Sequence, residues 1–459
     1  MTLGSWRYYD HELSVEDYYV GHDQEAGVWV GSGAVRLGLF GTVEEGQLAR
    51  LFDEGCHPAT GAALGLPYRH DSKRTVVTGF ALSFSPPKSV SLVGAFGDRS
   101  VAADVDAAHD AAVRAALAFL EDHAAFSRTG RGGFVQVETD GFVGAAFTHR
   151  TSRAGDPQIH SHVLVANKVR CGDGRWRSLD GRELFAFQKA AGMLYNATLR
   201  VELSARLGVA WDPVDRNGQA DIEGVPRPLI ELFSKRRHDV ERRGAQRIAA
   251  AEARLGRTLT GEERAEQFQF ATYETRPAKT HDDEAVLGGR WRTEAHAAGW
   301  DPERWIGRTL GREHSVPSLW VEGAAPDVVA EILAEVAEAR STWGRAEVAK
   351  ATARRLPPDL AVGAEAGREW IEATCSAVFA HPEVVSLASP LSADLPAGLR
   401  RQDGLPGHER HGASRFTTRQ TLAREATILD AVVEGRHVSL AVADAGRVLT
   451  TARAHDLGP

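Results

Sequence analysis

The residues best placed to do chemistry lie between Thr148 and Val169, in THRTSRAGDPQIHSHVLVANKV. His149 stands near its start, and His160 and His162 flank Ser161. The apolar run Val163-Leu164-Val165 that follows predicts a strand. Alternate strand residues share a face, so the imidazoles of His160 and His162 stand side by side. His149 closes an earlier apolar run, FVGAAF, which follows the turn pair Asp140-Gly141 after FVQVET. That order is a β-hairpin signal. If the histidine-bearing strands are neighbours, three imidazoles converge as in a metal site with open positions. The motif alone is not specific, because 18 histidines in 459 residues give an H-x-H roughly 0.7 times by chance. Surface or hydrogen-bonded histidines are the plainer alternative.

A second group is aromatic. Four of the seven tyrosines fall within the first nineteen residues, as Tyr8-Tyr9 and Tyr18-Tyr19. Aromatic pairs usually serve packing. Their crowding in a tyrosine-poor chain points instead to a phenol nucleophile, active once its proton is removed or a metal lowers the barrier at its target. A third signal is the run SFSPPKSVSL: a strand over Thr75 to Phe84 halts at Ser85-Pro86-Pro87, and Lys88-Ser89 opens the next segment. A helix start carrying Lys and Ser suits a phosphate. There is no G-x-x-x-x-G-K-[ST], so no nucleoside-triphosphate loop and no ATP site is expected.

These groups need a scaffold. Gly21 to Gly65 reads as loops with one small helix from Glu44 to Phe52. Ser100 to Phe126 reads as an amphipathic helix with Val101, Val105, Ala108, Ala112, Phe119 and Leu120 near one face. A turn at Gly172-Asp173-Gly174 precedes a short strand RWRSL, and a helix from Gly181 to Leu207 stops at Gly208. The fold class is α+β, a largely antiparallel sheet with flanking helices, followed by a smaller, mostly helical region. Three divisions are expected: 1–311 with the sheet, 312–385 as a helical connector, and 386–459 as a hinge and a further start. The connector holds helices over Ala325 to Leu356, the second capped at Ser341 or Thr342, and one over Gly367 to Phe379. A last helix spans Thr417 to Glu434.

Composition bounds the rest. The chain is 43% hydrophobic and 25% charged, with a net charge of -8. That excludes indiscriminate polyanion binding, although basic residues cluster locally. Lys168, Arg170, Arg175 and Arg177 follow the histidine strand, and Lys235, Arg236, Arg237, Arg242 and Arg243 crowd a later helix. Solvated faces are the commoner explanation of such clusters; beside a metal site the first becomes a phosphate contact. Cys56, Cys171 and Cys375 form no C-x-x-C, which fits a reducing cytoplasm. No signal peptide and no run long enough for membrane insertion is seen.

From Trp6 to Gly311 the ordered motifs YY…DYY, SFSPPKSVSL, FTHRTSRAGDPQIHSH, RWRSLDGREL and FSKR resemble the MobF family of conjugative relaxases, the TrwC/TraI type within the HUH endonucleases. The resemblance implies nicking of single-stranded or hairpin DNA at a transfer origin. His149, His160 and His162 would hold a divalent metal (Mg, Mn or Zn). Tyr8 and Tyr18, the leading members of their pairs with Tyr9 and Tyr19, would be nucleophiles. Arg153, Lys88, Lys168, Arg170, Arg175 and Arg177 would hold DNA. It further implies a cytoplasmic protein that meets a type IV secretion coupling protein and accessory DNA-bending proteins. Phe416 to Gly435 is similar to the connector that leads, in longer members, into a helicase; no Walker motif follows it here.

Two departures stand out. Ala81 occupies the place of an acidic residue that orients a metal histidine, with Glu138 or Asp140 as substitutes. Only seven residues precede Tyr8, where the family has a strand. The alternatives are a rolling-circle replication initiator or transposase of the same superfamily, and a catalytically impaired DNA-binding remnant. The paired tyrosines and the long spacing of the histidine motif favour a relaxase.

Overall fold

The computed structural model describes residues 2–5, 27–44, 46–68, 76–133, 135–276, 284–311, 324–356, 364–387, 396 and 414–433. In chain order the strands are β1 Thr2–Ser5, β2 Val28–Val30, β3 Gly79–Phe84, β4 Phe126–Thr129, β5 Val135–Glu138, β6 Gly144–Thr151 and β7 Pro157–Ala166. Five of them form one antiparallel sheet in the order β1-β3-β7-β6-β2. β4 and β5 pair separately, and β8 Val169–Arg170 with β9 Trp176–Arg177 makes a small ribbon beyond β7.

Period-two alternation along β7 decides the two faces of the sheet. Ile159, Val163 and Val165 join a large apolar core with Leu82 and Phe84 of β3. Ala108, Ala112 and Phe119 of the Arg99–Ala124 helix and Phe187 and Leu194 of the Gly181–Leu207 helix complete that core. Leu82, Val163 and Val165 are fully buried, so truncating one of the larger of them to Ala costs about 2–5 kcal/mol. On the opposite face Leu164 and Ala166 meet Ala81, Ala145 and Phe147, capped by Leu48 and Phe52.

The Gly181–Leu207 helix ends where the sequence indicates, whereas the one expected over Ser100 to Phe126 spans Arg99–Ala124 because Phe126 opens β4. Asp98 accepts from the Val101 amide at the start of one. Gly208 ends the other at φ 59, ψ 42, a left-handed position that favours glycine. The fold agrees with the α+β expectation.

Several local expectations are corrected. FVQVET and FVGAAF do not pair with each other: β5 returns to β4, whereas β6 pairs with β7 and β2. The ten-residue β7 gives the small residues Gly144, Ala145 and Ala146 a buried central position, and Asp140-Gly141 links two sheets. A strand does precede the tyrosines, since β1 pairs with β3 from Thr2↔Ser83 to Ser5↔Phe80. Between 27 and 65 the expected small helix is present from Gln47 to Glu54, and β2 and a turn of helix over Ser32–Arg36 add to it. The helix after Pro326–Ala339 is capped at Gly344, whose amide donates to Glu347, and not at Ser341 or Thr342. The last helix runs over Arg419–Val433, because Phe416–Thr418 is drawn into a strand against Val384–Ser386.

The helical region docks on the sheet's own helices. Trp343, Trp370, Ile371 and Val378 belong to the same apolar core as β3 and β7. His123 lies 2.7 Å from Glu372 across that junction. Residues 312–323, where the expected boundary falls, lie outside the described residues. Among the described residues no helix is long and apolar enough to cross a membrane.

Candidate metal centre

β6 and β7 form the hairpin that carries the histidines. His149 is the direct register partner of His160, Phe147 that of His162, and β3 brings Ser83 opposite His162 from the other side. All three rings project from the face opposite Ser161. Their centroids lie 5.1 Å (His149–His160), 5.5 Å (His149–His162) and 5.1 Å (His160–His162) apart.

Two rings are oriented by the protein. Nδ1 of His160 lies 3.0 Å from the Gln158 carbonyl, and Nδ1 of His162 lies 3.0 Å from the Ser83 hydroxyl. A carbonyl only accepts, so His160 carries its proton on Nδ1 and keeps on Nε2 the lone pair that a cation takes. Burial pushes both rings below the ordinary imidazole range. For His160 the Gln158 carbonyl opposes this and Lys88 adds to it. For His162 the neighbours His160, His149, Arg153 and Arg276 add to it. Neutral imidazole is the ligating form.

Among the described residues no set of three or more His, Cys, Asp or Glu side chains already stands at metal-holding distances. The histidines are an open triangle rather than a closed shell. Three neutral imidazoles are the donor chemistry that a divalent cation with open positions takes. The donor set therefore fits a divalent cation.

Beside the triangle opens a cavity of about 880 Å³ lined by Lys88, Asp156, Gln158, Ser234 and Arg236 among others. Lys88 donates to the Pro157 carbonyl at 2.7 Å. Burial brings its ammonium down to about 8, Asp156 opposing and Lys235 assisting. The hairpin turn is held from two further sides. Asp156 accepts from the Lys235 amide at 2.9 Å, and Gly155 accepts from Trp291 Nε1 at 2.8 Å.

The sequence-derived site residues thus fall into separate places. His149, His160, His162, Arg153 and Lys88 share one end of β7. Arg170, Arg175 and Arg177 lie on the β8–β9 ribbon beyond its other end. Lys168 is corrected as a DNA contact: it is 6% exposed, and its ammonium donates to the carbonyls of Leu64 and Leu66. Neither acidic substitute proposed for Ala81 is found on a ring. Glu138 lies on β5, and Asp140 stands 3.9 Å from both Arg36 and Arg170. Ser83, two residues beyond Ala81 on the same face of β3, takes the position on His162. Tyr8, Tyr9, Tyr18 and Tyr19 lie outside the described residues.

Ser83 and Arg276 were missed by sequence reasoning. Ser83 had a signal, the alternation of Ala81, Ser83 and Ser85 along a strand. Arg276 had none, since only folding brings the end of the Gly261–Glu274 helix to His162.

Residues 4–298 match a family model described as TrwC relaxase. The multifunctional conjugation protein TraI of Escherichia coli is 30% identical over 351 residues, which is 73% of this chain and 18% of that protein. The chain therefore spans about a fifth of the length of the curated relatives it matches. Among solved structures, a metal-bound complex of the conjugative relaxase TrwC with oriT DNA is 29% identical, with a TM-score of 0.52, covering 66% of this chain and 99% of that one. TrwC complexed with a 27-mer DNA comprising the recognition hairpin and the cleavage site is 28% identical, with a TM-score of 0.52 and 66% of this chain covered.

Proposed function

Because the chain belongs to the TrwC relaxase family, we infer that it nicks one strand of a transfer-origin DNA and later rejoins it. The observation that carries this reading is the triangle of histidine rings on two neighbouring strands, with two Nδ1 atoms engaged by the protein. His149, His160 and His162 would hold a divalent cation, which supplies Lewis-acid charge to the non-bridging oxygens of one phosphate. Metal-bound TrwC and its complexes with oriT DNA support this assignment of cofactor and substrate.

The remaining chemistry belongs to the chain's own residues. The Tyr8 hydroxyl, ordinarily ionising near about 10, attacks the phosphorus. The phenol loses its proton, the bond from phosphorus to the 3′-oxygen breaks, and that oxygen leaves as a 3′-hydroxyl. One phosphoester replaces another, so the 5′-phosphotyrosyl link keeps the free energy needed for rejoining and no ATP is required. Tyr18 accepts the strand when transfer ends, and Tyr9 and Tyr19 are the second members of their pairs. Arg153, Arg276 and Lys88 place positive charge around the rings, where an incoming phosphate needs it. Arg175, exposed in the turn of the β8–β9 ribbon, contacts the duplex part of a hairpin farther along, while Arg170 and Arg177 face Asp140 and Asp173. A coupling protein of a secretion system and DNA-bending proteins are the partners this activity requires in a cell.

The test is covalent. Single-stranded origin DNA incubated with the protein and Mg²⁺ or Mn²⁺ should give a protein–DNA adduct that chelator abolishes. Tyr8→Phe should lower its formation by about 10⁴-fold or more, the scale of losing a nucleophile. An adduct indifferent to chelator would remove the metal from the reading.

A further inference from the structure

Behind the histidines, on the opposite face of the sheet, runs a chain of buried polar groups. Tyr195 Oη lies 2.8 Å from His109 Nδ1, His109 Nε2 lies 2.8 Å from Ser161 Oγ, and Ser161 Oγ lies 2.7 Å from Thr148 Oγ1. The chain begins on the Gly181–Leu207 helix, passes through the Arg99–Ala124 helix and ends on both strands of the hairpin. Ser161 and Thr148 are register partners there. Ser161 separates His160 from His162, and Thr148 precedes His149. Tyr195, His109 and Ser161 are no more than 2% exposed. Their surroundings are the apolar core of Phe84, Ala108 and Ala112, which hydrophobic side chains of similar size would fill without desolvation cost.

We propose that His109 is a positioning residue, fastening Ser161 and Thr148 to the two core helices and so fixing the height and register at which the hairpin presents His149, His160 and His162 to a cation. Apolar contacts are not directional. Hydrogen bonds weaken steeply off-angle, and a one-residue slip of a strand inverts its faces, so this chain specifies one placement of the hairpin. Burial pushes the His109 ring down to about 3, with His160 and Arg150 adding to the effect. It therefore remains a neutral donor and acceptor between two hydroxyls.

The inference rests on the metal-centre reading, and titrating the DNA-free full chain with Co²⁺ separates the two. Wild-type protein should show visible ligand-field absorption; its absence overturns the metal centre and this role together. If wild type binds, Ser161→Ala and the pair His109→Leu/Tyr195→Phe should each weaken Co²⁺ by about tenfold. Band positions should change, while the thermal midpoint stays close to wild type or rises. Ser161→Thr keeps the hydroxyl and should restore affinity and spectrum. Wild-type Co²⁺ binding in Ser161→Ala and in the His109 pair would overturn the proposal. So would weakened binding that follows lost thermal stability alone and is equally present in Ser161→Thr.

Discussion

At its Gln158 end β7 presents imidazoles kept neutral by burial, whose mapped bonds run to a carbonyl and a hydroxyl. Eight residues from His160, about 25 Å along an extended strand, the cations of the other end are largely committed within the protein. Lys168 donates to two carbonyls, Arg177 makes a fork with Asp173, and Arg170 lies 3.9 Å from Asp140. The basic helix Lys235–Leu255 behaves like the second end, with Lys235 on Asp156 and Glu294, Arg237 on Glu241 and Arg243 on Glu274. The difference teaches that density of positive charge in a sequence does not measure charge available to a phosphate.

Substitutions at the two ends should therefore differ in kind. Removing a ring, His160→Ala, should lower the nicking rate by at least about 10²-fold, beyond the range of an outer-sphere partner, measured as adduct formation at saturating metal. Equal activity in that variant would break the comparison outright. At the far end Lys168→Met should cost about 1–3 kcal/mol of stability by leaving the Leu64 and Leu66 carbonyls without their donor. Its affinity for origin DNA should stay unchanged, a pattern read from chemical denaturation and filter binding. A loss of DNA affinity without a loss of stability would return Lys168 to the DNA surface. Ser83→Ala should weaken metal by about tenfold in a calorimetric titration without shifting the unfolding midpoint much. The smallest effect belongs to exposed Arg175. Arg175→Ala should reduce the slope of log affinity against log salt by about 0.7–0.9 and leave cleavage of bound DNA untouched.

Legibility in the sequence followed the range of the interactions involved. His160 and His162 on one face follow from period-two alternation, a local property, and Gly208 ends its helix by its own backbone freedom. The turn pair Asp140-Gly141 points to a hairpin of FVQVET with FVGAAF, yet FVGAAF pairs with β7 and β2, so the histidine-bearing strands are neighbours as the site requires. Ala81 drew attention as a missing acid, yet the side chain that reaches His162 is Ser83, one alternation further on. His109 was passed over inside an alanine-rich helix, next to Ala108 on its apolar face, because nothing local reveals that Tyr195 and Ser161 await it.

By itself the sequence determined the α+β class, the two long helices and the glycine stop of the second, the motifs that mark the family, and which residue types meet at the candidate centre. Only the tertiary structure decided that β6 lies beside β7, that Ser83 orients a ring, that Lys168 is enclosed and that Arg276 arrives from a distant helix. The physical reason is that periodicity and backbone preference act within a few residues, whereas strand pairing and desolvation depend on whichever distant surface the chain packs against.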